Sequence, residues 1–375
     1  MQVTPRLEGG GVERVTLDTS RAVIAAGGRS LVASLGGRLD KELAAAGGEL
    51  IRLPVHSRNP LVVADNARRL ARLIGDQGVS LVHVRSRAPA FSAIRAARAA
   101  RVPVVATYHG IYQARSPLKR WYNAVMTRGD LTIANSTFTR DHIVSEHGLS
   151  CDRIAVAPEG IDTQLFDPAR MSDERLAAVR AAWGLNQSHR VPILLLAARL
   201  TAWKGQRLMI EVMSRLIHAP GALLILAGKT EKVGEIDDLR NAAERAGVGE
   251  RVRIVGAMED MPAAFALADL VVAPSTRPES FGRGVAEAGA MARPVLASPL
   301  GGPAETIVHD RTGWLVPAGD VGAWARAINT ALALGPDARA RIGWAARERV
   351  TEHFSLRAMA AATFAIYRRV LAAHS

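Results

Sequence analysis

Short runs of apolar and β-branched residues alternate with longer Ala- and Arg-rich amphipathic stretches along most of this chain, and the alternation stops once and starts again. Strands joined by helical crossovers pair in parallel, and a parallel sheet needs helices on both faces. In the first part the strand candidates are residues 2–4, 30–33, 49–53, 81–84, 102–107, 131–134 and 153–156, with helical patterns such as 12–26, 60–76 and 88–101 between them. Residues 157–190 break the rhythm with Pro158, Gly160 and Pro168 before a charged helix ending near Trp183, and read as a connector. Apolar strands resume at 193–197, 223–228, 251–256, 270–274 and 294–298, each followed by a helix; later helical patterns cover 323–334, 339–350 and 356–373. A chain of 375 residues exceeds what one core usually holds. The expected fold is therefore α/β, two doubly wound parallel sheets facing each other across a cleft, with the last helix packing back on the first domain. Ligands of such sheets bind beyond the carboxyl ends of the strands, so the cleft is the expected site.

Composition narrows the function classes. The single cysteine, Cys151, has no intrachain disulfide partner and cannot furnish a thiolate zinc set. The longest apolar run, residues 191–198, is far short of the roughly 20 residues a membrane crossing needs. The opening MQVTPRLEGGGVER places acids and glycines where an export signal needs an apolar stretch, so a cytoplasmic chain is expected. Charge is uneven: 48 Lys and Arg stand against 35 Asp and Glu overall, and residues 1–160 hold 22 of those bases but 13 of the acids. A basic half suits nucleic acid, an anionic membrane face or phosphorylated small molecules, or is simply an Arg-rich solvated surface. No aromatic stacking platform or recognition-helix pattern points to nucleic acid. Residues 114–128 (ARSPLKRWYNAVMTR) interleave cations with Trp121 and Tyr122, which suits an anionic membrane face; the other reading is a solvated helix with its Trp buried.

Several positions could carry chemistry. Gly9, Gly10 and Gly11 lie between the first strand and the first helix, where bare backbone can approach a phosphate or sugar. Their spacing matches neither the dinucleotide fingerprint nor a P-loop, and a tight loop is an equal reading. His109 ends the strand VPVVATYHG at the carboxyl edge, whereas His83, in LVHVRSR, reads as structural. Arg199 and Lys204 follow the first strand of the second domain. Cations are disfavoured at a helix N-terminus, which argues for an anionic ligand such as a diphosphate. The most informative segment is PESFGRGVAEA at 278–288, where seven residues separate Glu279 from Glu287, and Ser280, Phe281 and Gly282 open a helix with its first amides available. Carboxylates accept from vicinal hydroxyls, so Glu287 suits a ribose and Glu279 a hexose; otherwise Glu279 caps the helix and Glu287 makes a surface salt bridge.

These segments, together with LEGGGVER, TYHGIY, GDLTIANSTFTRDHI, PEGIDTQLF, ARLTAWKGQ, PSTRPESFGRGVAEAGAMARPVLAS, GGPAETI and TGWLVPAGD, resemble the family 4 retaining glycosyltransferases of the two-Rossmann (GT-B) type along nearly the whole chain. The likeness is greatest to the bacterial lipopolysaccharide-core and capsule branch. It implies an acceptor-binding domain at 1–165, a donor-binding domain at 166–354, and a C-terminal helix at about 355–375 returning to the first. It implies transfer of a hexose from a nucleotide sugar, a UDP-sugar ahead of a GDP-sugar, to a cell-envelope glycan or lipid-linked acceptor. The place implied is the cytoplasm, at the inner face of the membrane, and no metal or other cofactor is implied beyond the donor as co-substrate. Carried over residue by residue, Arg199 and Lys204 neutralise the departing diphosphate and Glu287 holds the ribose. Glu279 with the amides of Ser280, Phe281 and Gly282 holds the hexose, and His109 contacts that sugar near its reacting carbon. Gly10 and Gly11 line the phosphate and acceptor side, and Gly302 turns with Pro303 near the nucleotide. Retention without an evident nucleophile implies attack by the acceptor on the face the phosphate leaves. The rivals are a nucleotide-sugar epimerase of the same architecture and a non-enzymatic polyanion-binding module. Two positions depart from the pattern: Ala198 stands where the family has Gly, which should narrow a turn, and Met1 lies inside the first strand, so either that strand is short or the start lies upstream.

Overall fold

The computed structural model of the protein describes residues 1–186, 191–230 and 232–374. They form two compact units, Met1–Gly160 joined by the C-terminal helix from Leu356, and Ile161–Ser355.

The first unit contains seven strands, β1 (Gln2–Val3), β2 (Leu31–Ser34), β3 (Glu49–Arg52), β4 (Val82–Val84), β5 (Val104–Tyr108), β6 (Leu131–Ala134) and β7 (Ile154–Val156). Its helices are α1 (Gly11–Ala25), α2 (Asp40–Ala45), α3 (Pro60–Asp76), α4 (Arg87–Ala99), α5 (Pro117–Asn123) and α6 (Thr137–His147). All its strand pairs are parallel, in the order β3-β2-β1-β4-β5-β6-β7. The order reverses between β1 and β4, and β1 is only two residues long. Val104, Ala106 and Tyr108 of β5 face one apolar layer, while the other face of the sheet carries a buried polar cluster beside the apolar residues Leu81, Val105 and Ile133. On that face Gln2, His83, Arg85 and Thr107 are buried, and they are satisfied by one another and by α1.

The second unit begins earlier than the sequence pattern placed it. Ile161, Phe166, Trp183 and Leu185 belong to its core, and the Ile161 amide donates to the Phe354 carbonyl, so most of the expected connector is packed structure; its last residues, 187–190, lie outside the described ones. In chain order come α7 (Asp173–Ala182), β8 (Ile193–Ala197), α8 (Gln206–Met213), β9 (Leu223–Ala227), α9 (Glu235–Arg245), β10 (Val252–Gly256), α10 (Met261–Leu267) and β11 (Leu270–Ala273). They are followed by α11 (Arg283–Ala290), β12 (Val295–Ala297), α12 (Pro303–Thr306), β13 (Trp314–Leu315), α13 (Val321–Ala333) and α14 (Gly335–His353). The sheet is parallel, ordered β10-β9-β8-β11-β12-β13, with its reversal between β8 and β11. The unbroken apolar run of β8 follows from burial on both faces: Ile193 and Leu195 enter one core layer, Leu194 and Leu196 the other. At Ala198 the backbone has no left-handed strain, and the close approach to β9 is accommodated by Gly228, whose Cβ would collide with the Ala198 carbonyl. The last helix, α15 (Leu356–Ala372), buries Ile366 and Val370 against Leu81, Val105 and Ile133 of the first unit.

His83 illustrates how that polar layer is tied to α15. It is 1% exposed, its Nδ1 lies 2.6 Å from the Tyr367 hydroxyl and its Nε2 lies 2.6 Å from the Thr107 hydroxyl. Burial, then the charges of Arg85 and His109, push its pKa well below the ordinary 6.5. The unfolded chain therefore binds the extra proton, and stability is complete above about pH 6.5 and falls as pH drops from there toward the folded pKa, by up to about 1.4 kcal/mol per unit. The thermal midpoint should decrease from pH 7 to pH 5.5, and His83→Gln should flatten that slope; an unchanged slope would remove His83 from the acid response.

Candidate functional site

In both units polar side chains collect where the strands end. His109 follows β5 and Asn135 follows β6, while Glu159 lies just beyond β7. Because β5, β6 and β7 are neighbours, these residues from separate turns come together. The His109 side chain is 2% exposed and its Nδ1 lies 3.3 Å from Glu159 Oε1; Asn135 Nδ2 donates to the same oxygen at 3.0 Å. A carboxylate accepting from Nδ1–H holds an imidazole in one tautomer and orientation. Arg85, 3% exposed, lines the same small hollow, donating to Gln2 Oε1 at 2.7 Å and to Thr19 Oγ1 at 2.6 Å. Burial lowers its pKa to about 10, which leaves it a cation at neutral pH.

The glycine turn at the switch between β1 and β4 is largely a helix cap. Gly9 takes φ +108°, Gly10 is the N-cap of α1, and Gly11 is its first residue. The Gly10 amide is engaged by the Glu13 carboxylate in a capping box.

In the second unit the switch between β8 and β11 carries the other predicted residues. After β8 the chain passes through exposed Arg199 and a 3-10 turn, Ala202–Lys204, to Gly205 at φ +80° and α8. Buried Gln206 fixes this turn by donating to the Arg199 carbonyl at 2.9 Å. Lys204 Nζ lies 2.7 Å from Glu279 Oε2, both side chains being 15% exposed, and sits 4.4 Å from the Trp203 ring centroid. Ser275 donates to the other oxygen of Glu279. Glu279 thus does not cap α11; Gly282, at φ +84°, is its N-cap. Lys204, Ser275, Glu279, Gly282 and Gly284 line one hollow against the ends of β8 and β11. Ser280 is half-buried beside it, whereas the Phe281 ring turns into the core, 3% exposed against Phe354, so only its backbone can serve a ligand. Glu287, one turn into α11, lies 3.3 Å from Arg283, both about four-fifths buried. Gly302 presses on the Phe281 backbone and donates to the Glu279 carbonyl at 2.9 Å.

This arrangement holds a cation, a carboxylate and the amide end of a helix around a space suited to an anion bearing hydroxyl groups. Among the described residues no group of three or more His, Cys, Asp or Glu side chains is placed to hold a metal ion. Sequence reading did not find Glu159, Arg283 or Arg85. Arg283 carried a usable signal, being a cation on the first position of a helix and four residues before Glu287. Trp121 is 53% exposed, which contradicts the reading of residues 114–128 as a helix with its Trp buried.

Family models for glycosyl transferases group 1 and for glycosyltransferase family 4 match residues 181–349 and 9–165. A D-inositol 3-phosphate glycosyltransferase of Mycobacterium tuberculosis is 33% identical over 251 residues, 66% of this chain, and the chain spans about half (50%) of that curated relative's length. A solved glycosyltransferase from Rickettsia africae is 31% identical with a TM-score of 0.90, covering 99% of this chain and 97% of that one. HepE from Anabaena, solved with UDP and glucose, is 23% identical with a TM-score of 0.84 over 98% of this chain and 100% of its own.

Proposed function

The chain belongs to the GT-B glycosyltransferases, and from that premise we propose that it moves a hexose from a nucleotide sugar to a cell-envelope glycan or lipid-linked acceptor, without a metal and with retention of anomeric configuration. The lipopolysaccharide core and related envelope polysaccharides are the acceptor class we favour, met at the inner face of the cytoplasmic membrane. The observation that carries the donor half is the Lys204–Glu279 pair held at the mouth of α11. An ammonium has three donors; one is spent on Glu279, and the others can meet a diphosphate. Arg199 adds a second cation, the amides of 280–282 and Glu279 suit the hexose, and Glu287 suits the ribose. Gly302 holds the loop carrying Glu279 against the start of α12. A UDP-sugar is the donor of choice, a preference supported by the Anabaena fold relative that was solved with UDP and glucose.

As the glycosidic bond breaks, negative charge grows on the leaving phosphate, and fixed cations stabilise it without reorganising. The acceptor hydroxyl attacks on the same face, and the leaving phosphate takes its proton. His109, held by Glu159, contacts the sugar being transferred, and Gly10 and Gly11 line the acceptor side. Glu159→Gln should then lower kcat about tenfold, in the range found for partners that orient a histidine, while the donor KM stays within about twofold; an unchanged kcat would remove Glu159 from the reaction.

Thermal shift against UDP-, GDP- and ADP-sugars tests the donor assignment, since a ligand that binds only the folded chain raises its midpoint. A shift with a UDP-sugar is expected; none with any nucleotide sugar overturns the reading. With a competent acceptor, an inverted product, or activity abolished by EDTA and restored by magnesium, would overturn the metal-free retaining mechanism. Conversion of the sugar without acceptor would make the protein an epimerase.

A further inference from the structure

We propose that a groove formed by the starts of α3, α4 and α5 receives the apolar chain of an anionic membrane lipid, whose phosphate is held by the cations at its rim. The groove has a volume of about 590 Å³, and Pro60, Val63, Ala88, Phe91, Leu118 and Trp121 contribute its apolar walls. That volume lies within the roughly 300–1,000 Å³ of sites that enclose small ligands. Leu118 is 75% exposed and Trp121 53%, although the Trp121 ring packs tilted against Phe91 with centroids 5.5 Å apart, so the wall is held while its open side faces solvent. Apolar surface presented in this way marks a place where something else docks.

Charge identifies the occupant. Arg58, Arg87 and Lys119 stand 5.5–5.6 Å from the centroid of the Tyr122 ring, and Arg128 stands 5.4 Å from Trp121. None of the four forms an ion pair with a carboxylate among the described residues. Residues 77–129 hold nine Lys and Arg and no Asp or Glu. An apolar trough with Arg58 and Lys119 on its lining, Arg87 and Arg128 against the same aromatics, matches an amphiphile with a negative head and an apolar tail. A nucleic acid would use the cations and leave the trough empty, and an acidic peptide would bring no long apolar chain to fill it. The inference deepens the membrane and lipid-acceptor half of the proposed function and rests on that half alone; the donor site does not enter it.

The test is binding of the full chain to vesicles, with no nucleotide sugar present. Mixed phosphatidylcholine and phosphatidylglycerol vesicles should sediment the protein, and pure phosphatidylcholine should not. Phosphatidylglycerol with brominated acyl chains should quench part of the tryptophan fluorescence, and Trp121→Phe should remove that part. Ala88→Phe, which fills the trough, should also abolish the quenching, and Arg58→Glu with Lys119→Glu should weaken vesicle binding by at least about tenfold. Should Ala88→Phe fail to fold, the brominated-lipid comparison of wild type with Trp121→Phe still decides. Equal binding to neutral vesicles overturns the proposal, as does binding without quenching of Trp121, which would be surface charge attraction only. Release by glycerol phosphate at matched concentration would also overturn it, because the headgroup alone would then suffice. Quenching retained in a chain that transfers no sugar would sink the enzymatic reading and leave this one standing; sugar transfer without quenching would do the reverse.

Discussion

Lys204→Ala should lower turnover by roughly 10²- to 10³-fold, the loss seen when one fixed donor to developing negative charge is removed, and should leave the acceptor KM within about threefold. The ammonium is only 15% exposed, pinned 2.7 Å from Glu279 and lodged against Trp203, so it meets the diphosphate already in place and partly stripped of water. Interactions that strengthen as charge develops appear in kcat, whereas uniform binding appears in KM. Equal changes in both would cost Lys204 its leaving-group role. One complication follows from the ion pair itself: alanine leaves Glu279 without its cation beside an incoming phosphate. Adding Glu279→Gln separates the two causes. If the double variant recovers most of the lost rate, repulsion by Glu279 explains the defect; if it stays as slow, or slower because the hexose contact is also gone, the missing cation does.

The two sheets were legible because their information is local. An apolar run of strand length buried on both faces, as in residues 193–197, needs no distant partner to be recognised, and the glycines and prolines that end each element are sequence neighbours of it. What escaped was small or set by long-range contacts. β13 is two residues, Trp314–Leu315, too short for any period, and its place comes from pairing with β12. The break after β7 looked like a linker because Pro158, Gly160 and Pro168 interrupt the alternation, yet Ile161, Phe166 and Trp183 bury into the second unit's core, a fact of packing rather than pattern.

The same distinction divides the candidate site. Glu279, Glu287 and Lys204 stood out through their company, since a cation at a helix N-terminus is locally unfavourable and two carboxylates flanking Ser-Phe-Gly at a helix start exceed what one cap requires. Which groups pair was hidden: Lys204 and Glu279 were assigned to different parts of a donor and lie in contact, drawn together because β8 and β11 are neighbours although the two residues stand 75 positions apart in sequence. Glu159 lies 50 residues from His109, within PEGIDTQLF, and only the order β5-β6-β7 makes it a neighbour. Its burial at 7% exposure is the physical sign that it has work with a polar partner, and burial of a carboxylate is not a property of its sequence position.

Gly302→Ala should abolish the stabilisation by a nucleotide sugar even though alanine accepts its backbone angles. Gly302 has φ −52° and ψ −36°, ordinary helical values, so the glycine is not needed for conformational freedom. It is needed for space: a Cβ there would overlap the carbonyl and Cα of Phe281. Phe281 cannot retreat cheaply, because its ring is packed at 5.8 Å from Phe354 in the core. Nor can Gly302, whose amide holds the Glu279 carbonyl and whose own carbonyl accepts from Glu305 and Thr306. The strain must open the gap between the 279–282 loop and α12, carrying Glu279 and the N-terminal amides of α11 away from Lys204. Overpacking of this kind costs about 1–3 kcal/mol, a midpoint lower by roughly 2–12 °C for a unit of this size. Gly75→Ala, inside α3 with nothing near its Cβ, is the control and should stabilise by up to about 1 kcal/mol. A folded Gly302→Ala chain whose midpoint still rises normally with a UDP-sugar would mean that the approach of these two backbones does not shape the donor site, and the assignment of Glu279 and the α11 terminus to the hexose would go with it.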